Sequence, residues 1–170
     1  FADAYMKRAT LYSRLGQNMA AIADMDLALE LNPYSEYIYD RRAKVKILAN
    51  DLKGAEEDMN KAVELKPYDD LLRESRVDTW LVLGEVDKAI QEIDTLLEHS
   101  PGDLMLMMKK GVALLQNDQH ITALEVLDKA AENSPRSALV HDLRGVALMR
   151  SERWSEALEA FDTAVSLDST

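Results

Sequence analysis

Residues 36–69 read EYIYDRRAKVKILANDLKGAEEDMNKAVELKPYD. The first half carries Tyr39 and Ala43, and the second carries Ala55, Met59 and Ala62 before the stretch stops at Pro67. Steps of three to four residues place these side chains on one apolar stripe per helix. Alanine lets two helices approach closely, and the larger column fills the space beside it. Proline lacks an N–H and clashes with the preceding turn, so it ends the second helix. Asn50-Asp51 marks the turn between the halves, and Asp69 is a strong N-cap for whatever follows. The stretch therefore predicts helices over 36–49 and 52–65, joined by a short turn.

The same pattern extends in both directions. Pro33, Pro67, Pro101 and Pro135 are the four prolines of the chain, each 34 residues after the one before. Twelve residues before each lies Ala21, Ala55, Ala89 or Ala123; Ala157 continues the series, with Ser169 where a fifth proline would stand. Eight before lie Met25, Met59, Ile93, Leu127 and Phe161, and five before lie Ala28, Ala62, Leu96, Ala130 and Ala164. On the first helices the small column is Ala9, Ala43, Val77, Gly111 and Gly145. Ser35, Asp69, Asp103 and Ser137 are N-cap candidates, and Gly16, Asn50-Asp51, Gly84 and Asn117-Asp118 are turn signals. Ten helices follow, near 2–15, 18–31, 36–49, 52–65, 70–83, 86–99, 104–117, 120–133, 138–151 and 154–167. They group into repeats of about 2–35, 36–69, 70–103, 104–137 and 138–170 in one domain over 1–170. A lone hairpin cannot bury its apolar face, so neighbours must stack.

Composition sets limits on function. Hydrophobic residues at 47% can build a core, which argues against wholesale disorder. The apolar runs are too short to span a bilayer. There are no cysteines, which excludes disulfides, thiolate metal sites and a cysteine nucleophile. A net charge of -11 repels phosphate and argues against nucleic acid or an anionic membrane as partner. The chain opens on Phe1 rather than Met, as expected for a piece of a longer or processed protein. The compartment is open: cytoplasm is the first expectation, and a secretory or organellar lumen stands beside it.

These columns resemble the tetratricopeptide repeat family, over the whole chain. Tyr5, Ala9, Tyr12, Ala21, Met25, Ala28 and Pro33 carry the likeness in the first repeat, and Tyr39, Ala43, Ala55, Met59, Ala62 and Pro67 in the second. The third is loosest, with Val77, Trp80, Ala89, Ile93 and Leu96. The resemblance implies an all-α fold, a right-handed superhelical solenoid of antiparallel hairpins. It also implies a concave surface lined by the first helices, which in this family often holds an extended peptide.

Projected onto that surface, the first two repeats offer a mixed, partly basic set including Arg41 and Lys44. The later ones offer a mostly apolar strip: Leu71, Leu81, Met105, Met108, Val112, Leu115, Leu139, Leu143, Val146 and Met149, with Lys109 beside it. An exposed apolar strip is informative where scattered apolar residues are not, and methionine suits adaptable surfaces. Four anchors at about 1.5–3 kcal/mol each, set against an association cost of about 4 kcal/mol or more, give a weak-to-micromolar grip on an apolar peptide or amphipathic helix. The competing reading is that curvature buries the strip, or that a flanking segment covers it. A carboxylate clamp of the kind used on chaperone tails is absent, because the matching positions are Met6, Thr10, Arg41, Leu71 and Ser75.

A second periodic feature joins Arg8, Arg42, Arg76, Lys110 and Arg144 with Asp26, Asn60, Asp94, Asp128 and Asp162. It predicts a ladder of ion pairs between helices, with a row of ligand-holding arginines as the alternative. Catalysis is not expected. His99, His120 and His141 sit in three different phases of the repeat, and no metal-ligand pair, phosphate loop or nucleophile elbow occurs. No cofactor is implied. The expected function is a protein-binding scaffold. The alternatives are a docking arm of a larger protein, or self-assembly through the last hairpin, where Trp154, Leu158 and Val165 are expected to lie partly uncovered.

Overall fold

The computed structural model describes residues 1–168 and contains, among them, ten α-helices and no strand. They are α1 (Ala2–Arg14), α2 (Asn18–Leu31), α3 (Glu36–Leu48), α4 (Leu52–Leu65), α5 (Asp70–Leu83), α6 (Val86–His99), α7 (Leu104–Gln116), α8 (His120–Asn133), α9 (Ala138–Arg150) and α10 (Trp154–Asp168). Every boundary falls within one residue of its expected place. Ser169, where the proline series would continue, lies outside the described residues.

The helices fall into two compact units, Phe1–Glu85 with α1 to α5 and Val86–Thr170 with α6 to α10. In the first, α1 packs on α2, α2 on α3, α3 on α4 and α4 on α5; α3 also touches α5 directly. In the second, α6 packs on α7, α7 on α8, α8 on α9 and α9 on α10, with α7 against α9. α1–α2 and α3–α4 in the first unit, and α7–α8 and α9–α10 in the second, pair as hairpins whose first helix is odd-numbered.

The small columns lie where helices touch. Ala9, Ala21, Ala28, Ala43, Ala55 and Ala62 are all fully buried, and Met25 and Met59 fill the space beside them. In the second unit Ala123, Leu127, Ala147 and Leu148 do the same.

Each first helix ends in one device. Gly16, Asn50, Gly84, Asp118 and Glu152 adopt the left-handed conformation, at φ of 72°, 61°, 78°, 55° and 59°. The next residue's N–H then reaches back to the last turn: Gln17 to the Tyr12 carbonyl, Asp51 to Lys46, Glu85 to Trp80, Gln119 to Leu114 and Arg153 to Leu148, at 2.8–3.0 Å. These bonds satisfy carbonyls that a helix end otherwise orphans. The fifth turn, at Glu152, had no sequence signal, since it carries neither glycine nor asparagine. Among the predicted N-caps, Ser35 accepts from the Ile38 N–H, Asp69 from Leu71 and Leu72, and Asp103 from Leu106. Ser137 occupies the cap position without a side-chain bond. Asp51 caps α4 by accepting from the Gly54 N–H at 3.0 Å.

Candidate functional site

Side chains i, i+4 and i+7 share one helix face, which brings Met105, Lys109 and Val112 together on α7 and Leu139, Leu143 and Val146 on α9. The two sets stand at equivalent repeat positions. Met105 is 53% exposed and Leu139 54%, and Met149, near the end of α9, is also exposed. Lys109, Val112, Leu143 and Val146 are half-buried beside them.

Two expected members of the strip lie elsewhere. Met108 is 7% exposed and packs with Met107, Ala130, Val140 and Leu143; Leu115 is 6% exposed and packs in the cluster that holds Leu114, Leu148 and Val146. Both sit on the flank of α7 closed off by its own hairpin and by α9, so the apolar strip is narrower than its sequence projection. In the first unit Leu71 and Val82 of α5 are exposed and Leu81 is half-buried.

The polar part of the surface lies on α1 and α3. Arg41 is exposed with its guanidinium 5.3 Å from the Tyr37 ring centroid, a cation–π contact. Lys44, also exposed, pairs with Asp40 at 2.7 Å, and the buried Asp40 carboxylate accepts from the Ser75 hydroxyl of α5 at 2.6 Å. Burial of Asp40 between α3 and α5 is therefore compensated on both oxygens. A cavity of about 230 Å³ opens between α1 and α3, lined by Asp3, Met6, Lys7, Thr10, Tyr37 and Ile38 among others.

Three members of the cationic column, Arg42, Lys110 and Arg144, close on carboxylates of the preceding helix. Arg42 Nη1 donates to Asp26 at 2.5 Å, Lys110 pairs with Asp94 at 2.5 Å and Arg144 with Asp128 at 2.5 Å. Each bond runs from a first helix to the second helix before it. A further pairing within hairpins escaped the sequence reading: Arg8 forks onto Asp24, and Arg42 onto Asp58. Asp24 and Asp58 are both buried. Arg8 holds the Asp24 carboxyl below the usual carboxylate range, against burial that would raise it. Burial alone would lower the Arg42 pKa, but Asp58 and Asp26 together raise it.

The histidines stay apart. His141 Nε2 lies 3.0 Å from the Pro135 carbonyl oxygen, and His120 lies 3.8 Å from Asp118. No helix among the described residues is long and apolar enough to cross a membrane.

Among solved structures, the chain superposes on a MamA double mutant of strain RS-1 with a TM-score of 0.83 at 16% identity, over 98% of this chain and 94% of that one. MamA of Desulfovibrio magneticus RS-1, from position 41 to its end, gives 0.83 at 17%, again over 98% and 94%. YrrB, described as a TPR protein with an unusual peptide-binding site, gives 0.72 at 23%, over 98% and 86%. At such identities the likeness shows the fold, an all-α helical-repeat solenoid. No curated protein sequence matches the chain. Tetratricopeptide repeat models match residues 2–35, 78–138 and 138–170, and the chain belongs to the tetratricopeptide repeat family. Membership suggests a scaffold for protein–protein interaction.

Proposed function

We propose that this scaffold is non-catalytic and binds a peptide or helix of a protein partner along its first helices, with α7 and α9 as the apolar seat. The observation that carries the reading is the pairing of Met105 with Leu139. These are exposed apolar side chains at the same repeat position on helices that pack together. Half-buried Val112, Leu143 and Val146 supply a floor. Peptide binding by YrrB, as its description states, is in keeping with this use of the fold.

Selection from a random peptide display library against the chain tests the reading. Enriched peptides are expected to bind at micromolar affinity and to lose at least about tenfold against a Met105→Glu/Leu139→Glu variant, since covering each half-exposed side chain is worth about 1 kcal/mol. Both positions are exposed, so the variant should keep the helicity of the parent. Peptides that bind the variant equally well would refute the seat.

A further inference from the structure

The seat on α7 and α9 contains a group that can be altered chemically in place. Its exposed column is Met105 on α7 and Leu139 on α9, at the same repeat position. Leu139 is a hydrocarbon and inert to mild oxidants. Met105 is a thioether, 53% exposed, and a thioether is oxidised to a polar, chiral sulfoxide. The chain has no cysteine, so no thiol competes for the oxidant.

Exposure sorts the eight methionines of the chain. Met6, Met25, Met59, Met107 and Met108 are buried, none more than 8% exposed. Met19, Met105 and Met149 are exposed. Met19 lies on α2, in the other compact unit. Met149 stands near the end of α9 at the repeat position of Leu115, outside the Met105–Leu139 column. Met105 is therefore the methionine that is both open to an oxidant and part of that column.

We propose that oxidation of Met105 by a hydroperoxide is a switch that releases the partner. This rests on the peptide-seat reading and adds a regulation to it. The sulfur lone pair attacks the hydroxyl oxygen of the peroxide. An S–O bond forms as the O–O bond breaks, and the departing oxygen takes the proton of the transferred hydroxyl. The thioether loses two electrons to become the sulfoxide, and the peroxide is reduced to water or, from an organic hydroperoxide, to an alcohol. The new oxygen is a hydrogen-bond acceptor set where an apolar partner side chain offers no donor, so seating that partner leaves a buried polar group unsatisfied. Methionine sulfoxide reductases restore the thioether, which makes the change reversible. A seated partner covers Met105 in turn, so occupancy slows its oxidation.

The probe is a peptide selected on the chain, and the oxidant is hydrogen peroxide. Mass spectrometry of digests from briefly treated chain should show one added oxygen at Met105, Met19 and Met149 well before the buried methionines, with helicity unchanged in circular dichroism. Excess peptide should slow the reaction at Met105 and not at Met19. Affinity for the peptide should fall about tenfold on treatment and return after incubation with sulfoxide reductases. For each variant the quantity read is the ratio of affinities before and after peroxide, whatever its starting affinity. Met105→Leu should make that ratio insensitive to peroxide, and Met19→Leu should show the loss of the parent. A Met105→Leu chain that loses affinity as the parent does, or a parent fully oxidised at Met105 that binds unchanged, would overturn the switch and leave the seat standing. Peptides indifferent to Met105→Glu/Leu139→Glu would remove the seat and the switch together.

Discussion

A Cβ added to Gly111 would stand 2.7 Å from Cδ2 of Leu127. Glycine is therefore present here for lack of bulk, at ordinary helical geometry. Leu127 is fully buried and has nowhere to retreat. The same position carries alanine in Ala9 and Ala43, whose clusters hold Met25 and Met59, side chains with an extra rotatable bond.

Gly111→Ala should accordingly destabilise the chain. Overpacking costs about 1–3 kcal/mol, and the better helix propensity of alanine offsets about 1 kcal/mol of that. Adding Leu127→Met, which restores the pairing of the first two hairpins, should recover part of the loss. Urea unfolding of the single and double variants measures both; a single variant more stable than the parent would show that the Leu127 side chain gives way to the added methyl.

Glu152→Gly should stabilise. Glu152 holds φ of 59° at an exposed turn, a conformation that costs an L-residue about 1–2 kcal/mol and glycine almost nothing. A gain of about 1 kcal/mol is expected in chemical denaturation, after allowing for the greater freedom of glycine in the unfolded chain. Gly16→Ala, at φ of 72°, should move stability the opposite way.

The Arg8–Asp24 pair predicts an acid-sensitive contribution. The native Asp24 pKa is depressed by hydrogen bonds from Arg8, below an unfolded value of about 3.9. Its stabilisation is therefore fully present above about pH 4 and is lost as pH falls through the lowered native value. Thermal melts of the parent and of Asp24→Asn should converge as pH drops through that window. A constant gap between the two would contradict the pairing.

The helices and their turns were legible because proline, alanine and the turn residues recur at one period, and each acts locally. What escaped the sequence has a common physical cause. Met108 and Leu115 read as water-facing because they share the projected side of α7, but side chains of α8 and α9 close over that flank, and such tertiary packing is not written in a single helix. Asp24 and Asp58 escaped because their acidic column runs only as far as Glu92 and breaks off at Val126 and Ala160, so it does not recur through all five repeats. Glu152 shows the reverse case: it lacks turn chemistry, yet its position 34 residues after Asp118 imposes the turn. Ser137 shows that a good capping residue in phase does not guarantee the bond.

The eight methionines are built-in probes for the apolar seat on α7 and α9. Methyl NMR of methionine-labelled chain, titrated with a peptide selected on it, should move the Met105 and Met149 signals together with saturable dependence. Met59, fully buried in the first unit, and Met19, exposed on a second helix, should stay in place. Shifts confined to Met19, or saturable binding that leaves Met105 and Met149 unmoved, would contradict a partner seated on the first helices.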